Sequence, residues 1–127
     1  MNARTIVTLV LVGLLTVLFV GAAQSQDDMV QLKADAFVTH TRPAAVFVHD
    51  EHNEKAGVED CNACHHVYED GKFMADDDSA GTACSECHML KANGRQPGLM
   101  VAYHKQCKSC HEAEGKGPMA CGQCHVK

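Results

Sequence analysis

A five-residue pattern, Cys-x-x-Cys-His, occurs four times between residues 61 and 125 and uses all eight cysteines of the chain. Two thiols three residues apart can form thioether bonds with the two vinyl groups of one haem, and the histidine that follows then lies under the iron. The pattern therefore predicts four covalently bound haem c groups. Their attachment sites would be Cys61, Cys64, Cys84, Cys87, Cys107, Cys110, Cys121 and Cys124.

Two other uses of paired cysteines explain less of the pattern. Eight cysteines in a small exported chain could form four disulfides, and Cys-x-x-Cys pairs also hold structural zinc. Neither use explains why a histidine directly follows every second cysteine.

The first 25 residues have the features of a secretory signal peptide. A weakly positive head is followed by an apolar run over residues 6–20 and by small residues, Ala23 and Ser25, at the two positions that a signal peptidase reads. We expect cleavage before Gln26, with cleavage after Ala23 as the alternative. A retained membrane anchor is the other interpretation, but residues 6–23 are short for a span of ~20 residues. The predicted organisation is a signal peptide, 1–25, and one periplasmic domain, 26–127, with no membrane insertion after cleavage.

The mature chain has little material for a core of its own. It contains no tryptophan, and its aromatic side chains are few. Small secreted domains usually need covalent staples or metals for stability, and four haems would supply the missing apolar mass. We predict a small multihaem cytochrome fold in which short α-helices and irregular loops wrap around four haems, and an apo chain that is largely unfolded.

Local patterns add a few elements to this fold. Residues 45–48 have β-propensity and predict a short edge strand that pairs with part of residues 31–38 in a minor N-terminal hairpin. Residues 50–55 and 99–107 predict helices, and we expect a short helix at each haem motif. Residues 69–71 and 115–118 predict turns, and residues 76–81 predict a solvated acidic loop.

The nine histidines allow two axial ligands for every iron. The four motif histidines, His65, His88, His111 and His125, are the expected proximal ligands. An iron with a vacant sixth position could bind or turn over a small molecule, whereas a filled position restricts it to electron transfer. Four irons need four more ligands, and five histidines remain. These are His40, His49, His52, His66 and His104.

Two close histidine pairs indicate that the haems form one cluster. On a helix, adjacent side chains diverge by ~100°, so His66 cannot reach the iron that His65 holds and would bind a neighbouring one. His49 and His52 lie three residues apart on one helical face and would serve two irons. Such short links bring the haems close together, which favours fast electron exchange.

The order of these residues resembles the tetrahaem cytochromes of class III, the cytochrome c3 family. Phe47-x-His49-x-x-His52 precedes the Cys61-x-x-Cys64-His65-His66 motif, and three further haem motifs follow. The resemblance implies four ligand pairs, with Phe47 packed between haems I and III and no counterpart for His40. The implied pairs are His49 with His65, His66 with His88, His52 with His111, and His104 with His125.

The chain also departs from the commonest family pattern. All four motifs have two residues between the cysteines, the link from His104 to Cys107 is short, and the mature chain is acidic. These features resemble the acidic subgroup of the family, which is associated with membrane-bound redox complexes. Met100 or Met119 could replace a histidine and raise a potential, but the supply of histidines makes that unnecessary.

Charge excludes some partners and suggests others. Without Arg4 the chain has 10 basic and 16 acidic residues, a net charge of −6, which argues against nucleic acid or an anionic membrane as partner. Residues 95–127 contain only Glu112 and Glu114 against five basic residues. This basic end is a solvated face or a docking patch for an acidic redox partner.

The sequence therefore predicts an electron-transfer protein rather than an enzyme. The resemblance implies a periplasmic, low-potential carrier between a periplasmic hydrogenase and a membrane redox complex in anaerobic respiration of the sulfate-reducing type. A multihaem reductase with an open iron and a fixed haem subunit of a membrane complex are the alternatives. Haem propionates buried near several irons should change their pKa when the irons are reduced. We therefore expect reduction to be coupled to proton uptake, with reduction potentials that depend on pH.

Overall fold

The computed structural model describes Asn2 and residues 29–127. The predicted signal peptide, apart from Asn2, lies outside the described residues. Among the residues described, no helix combines the length and the apolar character needed to cross a membrane.

A short antiparallel ladder begins the described fold. Strand β1, Gln31–Leu32, pairs with strand β2, Ala45–Val46, with Gln31 opposite Val46. The predicted N-terminal strand pair is confirmed, but it spans two residues on each side. Pro43 lies just before β2 and has no backbone N–H to donate, which limits extension of the ladder in that direction.

The helix predicted over residues 50–55 is confirmed as α1, His49–Ala56. Acidic residues lie in its first turn and Lys55 in its last, which complements the helix dipole. Gly57, at a φ of 65°, ends the helix and donates its N–H to the carbonyls of Asn53 and Glu54.

A second antiparallel hairpin was missed from the sequence. Strands β3, His66–Glu69, and β4, Lys72–Asp78, are joined by Asp70 and Gly71. Both turn residues have positive φ, 49° and 81°, as a tight two-residue hairpin turn requires. The predicted turn at 69–71 is confirmed. The predicted acidic loop at 76–81 is wrong for residues 76–78, because these residues continue β4 with their side chains exposed.

The haem motifs adopt three different local structures. The first is a 3₁₀ turn, Cys61–Ala63; the second and fourth are single helical turns, α2, Cys84–Cys87, and α4, Cys121–Cys124. The third lies within a long helix, α3, Leu99–Glu114, which continues beyond the predicted 99–107. No glycine or proline interrupts this stretch until Gly115, which ends the helix at a φ of 63°.

The polypeptide buries very little of itself. Leu99 is the only large side chain in the described part of the chain that is fully buried. Its neighbour Gly98 packs so closely on the preceding segment that an added Cβ would lie 2.9 Å from the carbonyl oxygen of Leu90. The fold is thus a small assembly of short helices and small antiparallel hairpins, organised around Leu99 and α3.

Candidate functional site

Eight of the nine histidines meet in four separate pairs of imidazole rings. The ring centroids within a pair lie 5.9 to 6.3 Å apart. Each pair joins one motif histidine to one histidine outside the motifs. The pairs are His49 with His65, His66 with His88, His52 with His111, and His104 with His125. The structure brings together the same four pairs that the resemblance implied.

This spacing fits two imidazoles on opposite sides of one metal ion. A metal–nitrogen bond to histidine is about 2 Å long, as for zinc. With ring bonds of about 1.35 Å, the centre of the ring lies about 1.1 Å from its nitrogen. Two rings that share a metal ion therefore have centroids about 6 Å apart. All four pairs match this value, so the donor sets suit a bis-histidine iron.

Backbone carbonyl groups orient three of the four motif histidines. Nδ1 of His88, His111 and His125 lies 3.0, 2.9 and 2.7 Å from the carbonyl oxygens of Pro97, Pro118 and Pro43, respectively. A carbonyl oxygen only accepts hydrogen bonds, so Nδ1 carries the proton and Nε2 keeps its lone pair for a metal. The chain has three prolines, and each of them supplies one of these oxygens.

Three of the other histidines have the same kind of support from within their own helices. His104 donates from Nδ1 to the carbonyl oxygen of Met100, one turn earlier on α3, at 2.7 Å. In α1, Nδ1 of His49 lies 2.7 Å from a carboxylate oxygen of Asp50, and Nδ1 of His52 lies 3.4 Å from the side-chain oxygen of Asn53. These bonds also leave Nε2 free to bind a metal.

His65 and His66 point to different pairs, as the sequence predicted, but for a different reason. The prediction assumed a helix, whereas His65 follows the 3₁₀ turn and His66 begins strand β3. Successive side chains of extended backbone point to opposite faces. The ring of His65 therefore meets His49, and the ring of His66 meets His88.

The environment of His66 favours its neutral form. Burial is the main cause of its lowered pKa, and the charge of nearby His88 lowers the pKa further, while a hydrogen bond with the Gln106 side chain acts in the opposite sense. Neutral imidazole is the form that binds a metal, so the balance suits a ligand.

Phe47 lies between the two distal histidines of α1. Its ring centroid is 4.9 Å from that of His52 and 6.0 Å from that of His49. This position fits the role that the resemblance implied, a ring packed between the first and third haem sites.

The comparison with models of protein families assigns the chain to one family. The model of the class III cytochrome c family matches residues 24–125. The chain belongs to the class III cytochrome c family. Members of this family are multihaem electron carriers with covalently bound haem c, as the sequence predicted.

Two curated relatives are similar to this class III cytochrome. A cytochrome c3 of Maridesulfovibrio salexigens is 36% identical over 109 residues, which cover 79% of this chain and 93% of the relative. A cytochrome c7 of Geobacter metallireducens is 47% identical over 45 residues, 35% of this chain, and the match spans about half of that relative, 49%.

Seven of the eight motif cysteines of this class III cytochrome are exposed. They form no disulfide, and no three side chains among His, Cys, Asp and Glu converge on a zinc-like site within the described residues. Exposed thiols beside paired imidazoles fit covalent attachment of haem at each motif.

His40 lies apart from the four pairs. Its side chain is exposed, its Nε2 lies 3.2 Å from the carbonyl oxygen of Ala34, and its ring meets Phe37 edge-on. Met100 and Met119 are both partly exposed, and it is the backbone of Met100, not its sulfur, that supports a histidine.

The residues that hold the histidines in place were not predicted from the sequence. An added Cβ at Gly117 would lie 2.7 Å from the ring of His111, and Gly117 has a φ of 86°. The side chain of Gln106 reaches 43 residues back to donate to the carbonyl oxygen of Ala63 at 2.6 Å. No local sequence pattern indicates such contacts, although a turn was predicted over residues 115–118, which include Gly117 and Pro118.

Proposed function

We propose that this class III cytochrome is a periplasmic, low-potential electron carrier with four bis-histidine haem c groups. The observation that carries the proposal is the division of eight histidines into four separate pairs, each with the spacing of two ligands on one metal ion. Each pair lies beside one Cys-x-x-Cys motif.

The residues of the chain have distinct tasks in this proposal. When bound, each haem supplies one iron that gains and loses a single electron. The cysteines would hold the macrocycle, and each motif histidine and its partner would together bind the iron, which would leave no position open for a substrate. Histidine in place of methionine keeps the potential low.

Short links in the chain keep the four sites in one cluster. His65 and His66 are adjacent but belong to two pairs, and His49 and His52, three residues apart on α1, belong to two pairs. On α3, His104 of one site lies three residues before Cys107 of another. Electrons can then pass between sites without movement of the protein.

The partners we propose are a periplasmic hydrogenase as donor and a membrane redox complex as acceptor, in anaerobic respiration of the sulfate-reducing type. The resemblance to the cytochrome c3 family supports this assignment. The basic end of the chain offers a surface for an acidic partner: Lys105 and Lys108 are exposed three residues apart on α3, and Lys116 and Lys127 follow.

The two alternative functions make different demands. A reductase of a small oxyanion or metal ion needs an open iron, and the pairing of eight histidines argues against one. A fixed subunit of a membrane complex needs retention of residues 1–25 or tight association with that complex.

The test uses the haem-loaded protein from the periplasm. We expect an N-terminus at Gln26, a mass increase of four haems, and full reduction by hydrogen with catalytic amounts of a periplasmic hydrogenase. Oxidised membranes from the same cells should then reoxidise it. Fewer than four haems, or an uncleaved N-terminus with tight membrane association, would contradict the proposal.

A further inference from the structure

We infer that Tyr68 is the positioning residue that holds the imidazole of His66 perpendicular to that of His88, and that this angle makes one of the four irons electronically distinct. The inference rests on the proposed function, because it concerns the iron that this pair would bind. It goes beyond that function by separating one site from three others that have the same donor set.

The His66–His88 pair differs from the other three pairs in the angle between its rings. Its two ring planes are nearly perpendicular, at 89°. The ring planes of the other pairs are tilted by 43 to 56°. The distance between ring centroids is nearly the same in all four pairs, so the difference lies in orientation and not in spacing.

His66 begins strand β3 at an irregular part of the second hairpin. Tyr68 lies opposite Phe73 and His66 lies opposite Asp78, so two steps along β3 correspond to five along β4. Such a bulge bends a strand and changes the direction in which nearby side chains point. The irregular register therefore sets the direction in which the His66 side chain leaves the hairpin.

Ser79, which directly follows β4, holds the backbone beside this bulge. Its N–H donates to the carbonyl oxygen of His65 at 2.8 Å, and its hydroxyl donates to the carbonyl oxygen of His66 at 3.3 Å. The start of β3 is thus fixed from the far side of the hairpin, and the remaining freedom of His66 is the rotation of its side chain.

The ring of Tyr68 restricts that rotation. The rings of Tyr68 and His66 meet edge-on, with centroids 5.4 Å apart and planes at 81°. Tyr68 in turn packs on its cross-strand partner Phe73, with ring centroids 5.7 Å apart. Edge-on packing is a favoured arrangement of aromatic rings, so a turn of the His66 ring towards the plane of His88 would lose this contact.

The ring of His88 is held independently of the hairpin. Its Nδ1 donates to the carbonyl oxygen of Pro97 at 3.0 Å, in the segment that precedes α3. Because different parts of the chain orient the two rings, the angle between them is a property of the fold.

The angle between two axial imidazoles acts on an iron through their π electrons. Imidazoles in parallel planes raise one iron d orbital above another, and the ferric state gains stability by leaving the raised orbital half-filled. Perpendicular imidazoles raise both orbitals alike, so this gain is lost and the reduction potential is higher. The low-spin ferric signal then becomes strongly anisotropic along one axis.

Electron paramagnetic resonance of the oxidised, haem-loaded wild type gives the first test. One of the four low-spin signals should be strongly anisotropic, and the other three should be rhombic. NMR contacts from the protons of His66 should assign the anisotropic signal to the haem of the His66–His88 pair. Four similar rhombic signals, or an anisotropic signal that belongs to another pair, would overturn the inference.

Two substitutions at Tyr68 separate positioning from a general loss of stability. Tyr68→Leu removes the ring, so the anisotropic signal should become rhombic and the potential of that haem alone should fall. Tyr68→Phe keeps the ring and should keep both the signal and the potential. A Tyr68→Leu protein that is less stable but retains the wild-type signal and potential would show a structural role only and overturn the inference.

Phe37→Leu is the matched control, because Phe37 also lies edge-on to a histidine, at 6.3 Å and 82°, but that histidine is His40, outside the four pairs. An equal change in this control would overturn the inference. If Tyr68→Leu fails to mature with four haems, Phe73→Leu gives the same readout by removing the support of Tyr68, and an unchanged signal there would count against positioning. A high-spin iron in the wild type would instead contradict the proposed function itself.

Discussion

Nδ1 of His125 donates to the carbonyl oxygen of Pro43 at 2.7 Å, across 82 positions of the sequence. The bond links the last haem motif to the segment that leads into β2, so the C-terminal end of the chain contacts its N-terminal part. Proline restricts φ, which narrows the range of positions that its own carbonyl group can reach. The carbonyl oxygens of Pro97 and Pro118 accept the corresponding hydrogen bonds from His88 and His111.

The three prolines should each act on a different iron. Replacing Pro43, Pro97 or Pro118 with glycine frees the backbone and should cost about 0.4–1 kcal/mol of stability or more, since glycine enlarges the unfolded ensemble. It also loosens the carbonyl acceptor and should raise the potential of one haem. Potentials measured haem by haem in the three variants check this. A common shift of one haem, or none, would contradict it.

Removal of a distal histidine should open one iron and leave three unchanged. In each of His49→Ala, His52→Ala, His66→Ala and His104→Ala, we expect one high-spin haem per chain and one carbon monoxide bound after reduction. The readout is the optical spectrum of the reduced protein with carbon monoxide. His40→Ala is the matched control, because His40 lies outside the four pairs. Carbon monoxide binding by His40→Ala alone would reverse the assignment.

Gly117→Ala should displace the ring of His111. The added Cβ would lie 2.7 Å from that ring, and a φ of 86° is strained for any residue with a side chain, at a cost of about 1–2 kcal/mol. Gly115→Ala carries similar strain at a φ of 63° but meets no atom within 4 Å. The midpoint temperature of thermal unfolding should fall in both variants, whereas a disturbed low-spin haem should occur in Gly117→Ala alone. Equal spectra would show that the contact is unimportant.

The lysines of the basic end should govern the rate of exchange with an acidic partner. Reversing the charge of Lys105, Lys108, Lys116 and Lys127 to glutamate should slow electron transfer by about tenfold or more at low salt and weaken its dependence on salt. Stopped-flow reduction by hydrogenase at several ionic strengths measures both effects. Lys72→Glu, on the exposed hairpin, is the control. Unchanged rates in the fourfold variant would exclude the basic end as the docking site.

Tyr103 should make the protein less stable in strong alkali. Burial, with a further contribution from nearby Cys84, raises the pKa of Tyr103 to about 12, above the value of about 10 expected in the unfolded chain. Its contribution to stability is therefore fully present below about pH 10 and is lost as the pH rises through the folded pKa. Thioether bonds remove the charge of the cysteines, so burial is the part that persists in the haem-loaded protein.

Denaturant midpoints between about pH 9 and 12 measure this effect. Tyr103→Phe should remove part of the decline, and Tyr68→Phe is the matched control for loss of a tyrosine hydroxyl. An identical decline in wild type and Tyr103→Phe would show that another group is responsible.

The sequence contained most of the candidate site and little of the fold around it. Cysteines and histidines carry their chemistry in fixed local spacing, so the motifs and the divergence of His65 and His66 could be predicted from the chain alone. The supports could not, because they join distant residues such as His125 with Pro43 and Ala63 with Gln106.

The errors in the predicted fold have local causes. The hairpin of β3 and β4 was missed because Asp76, Asp77 and Asp78 are typical of loops, yet their side chains project into solvent from an exposed strand. The helix α3 was predicted too short because the third motif was treated as an end, although nothing before Gly115 interrupts the helix.

In the proposed function, histidine fills both axial positions of every iron. Electron paramagnetic resonance of the fully oxidised protein, integrated against the haem content, tests it most directly. Two histidine ligands on every iron predict only low-spin ferric signals, with a total of four spins per chain. A high-spin signal from even one haem of the wild type would contradict it.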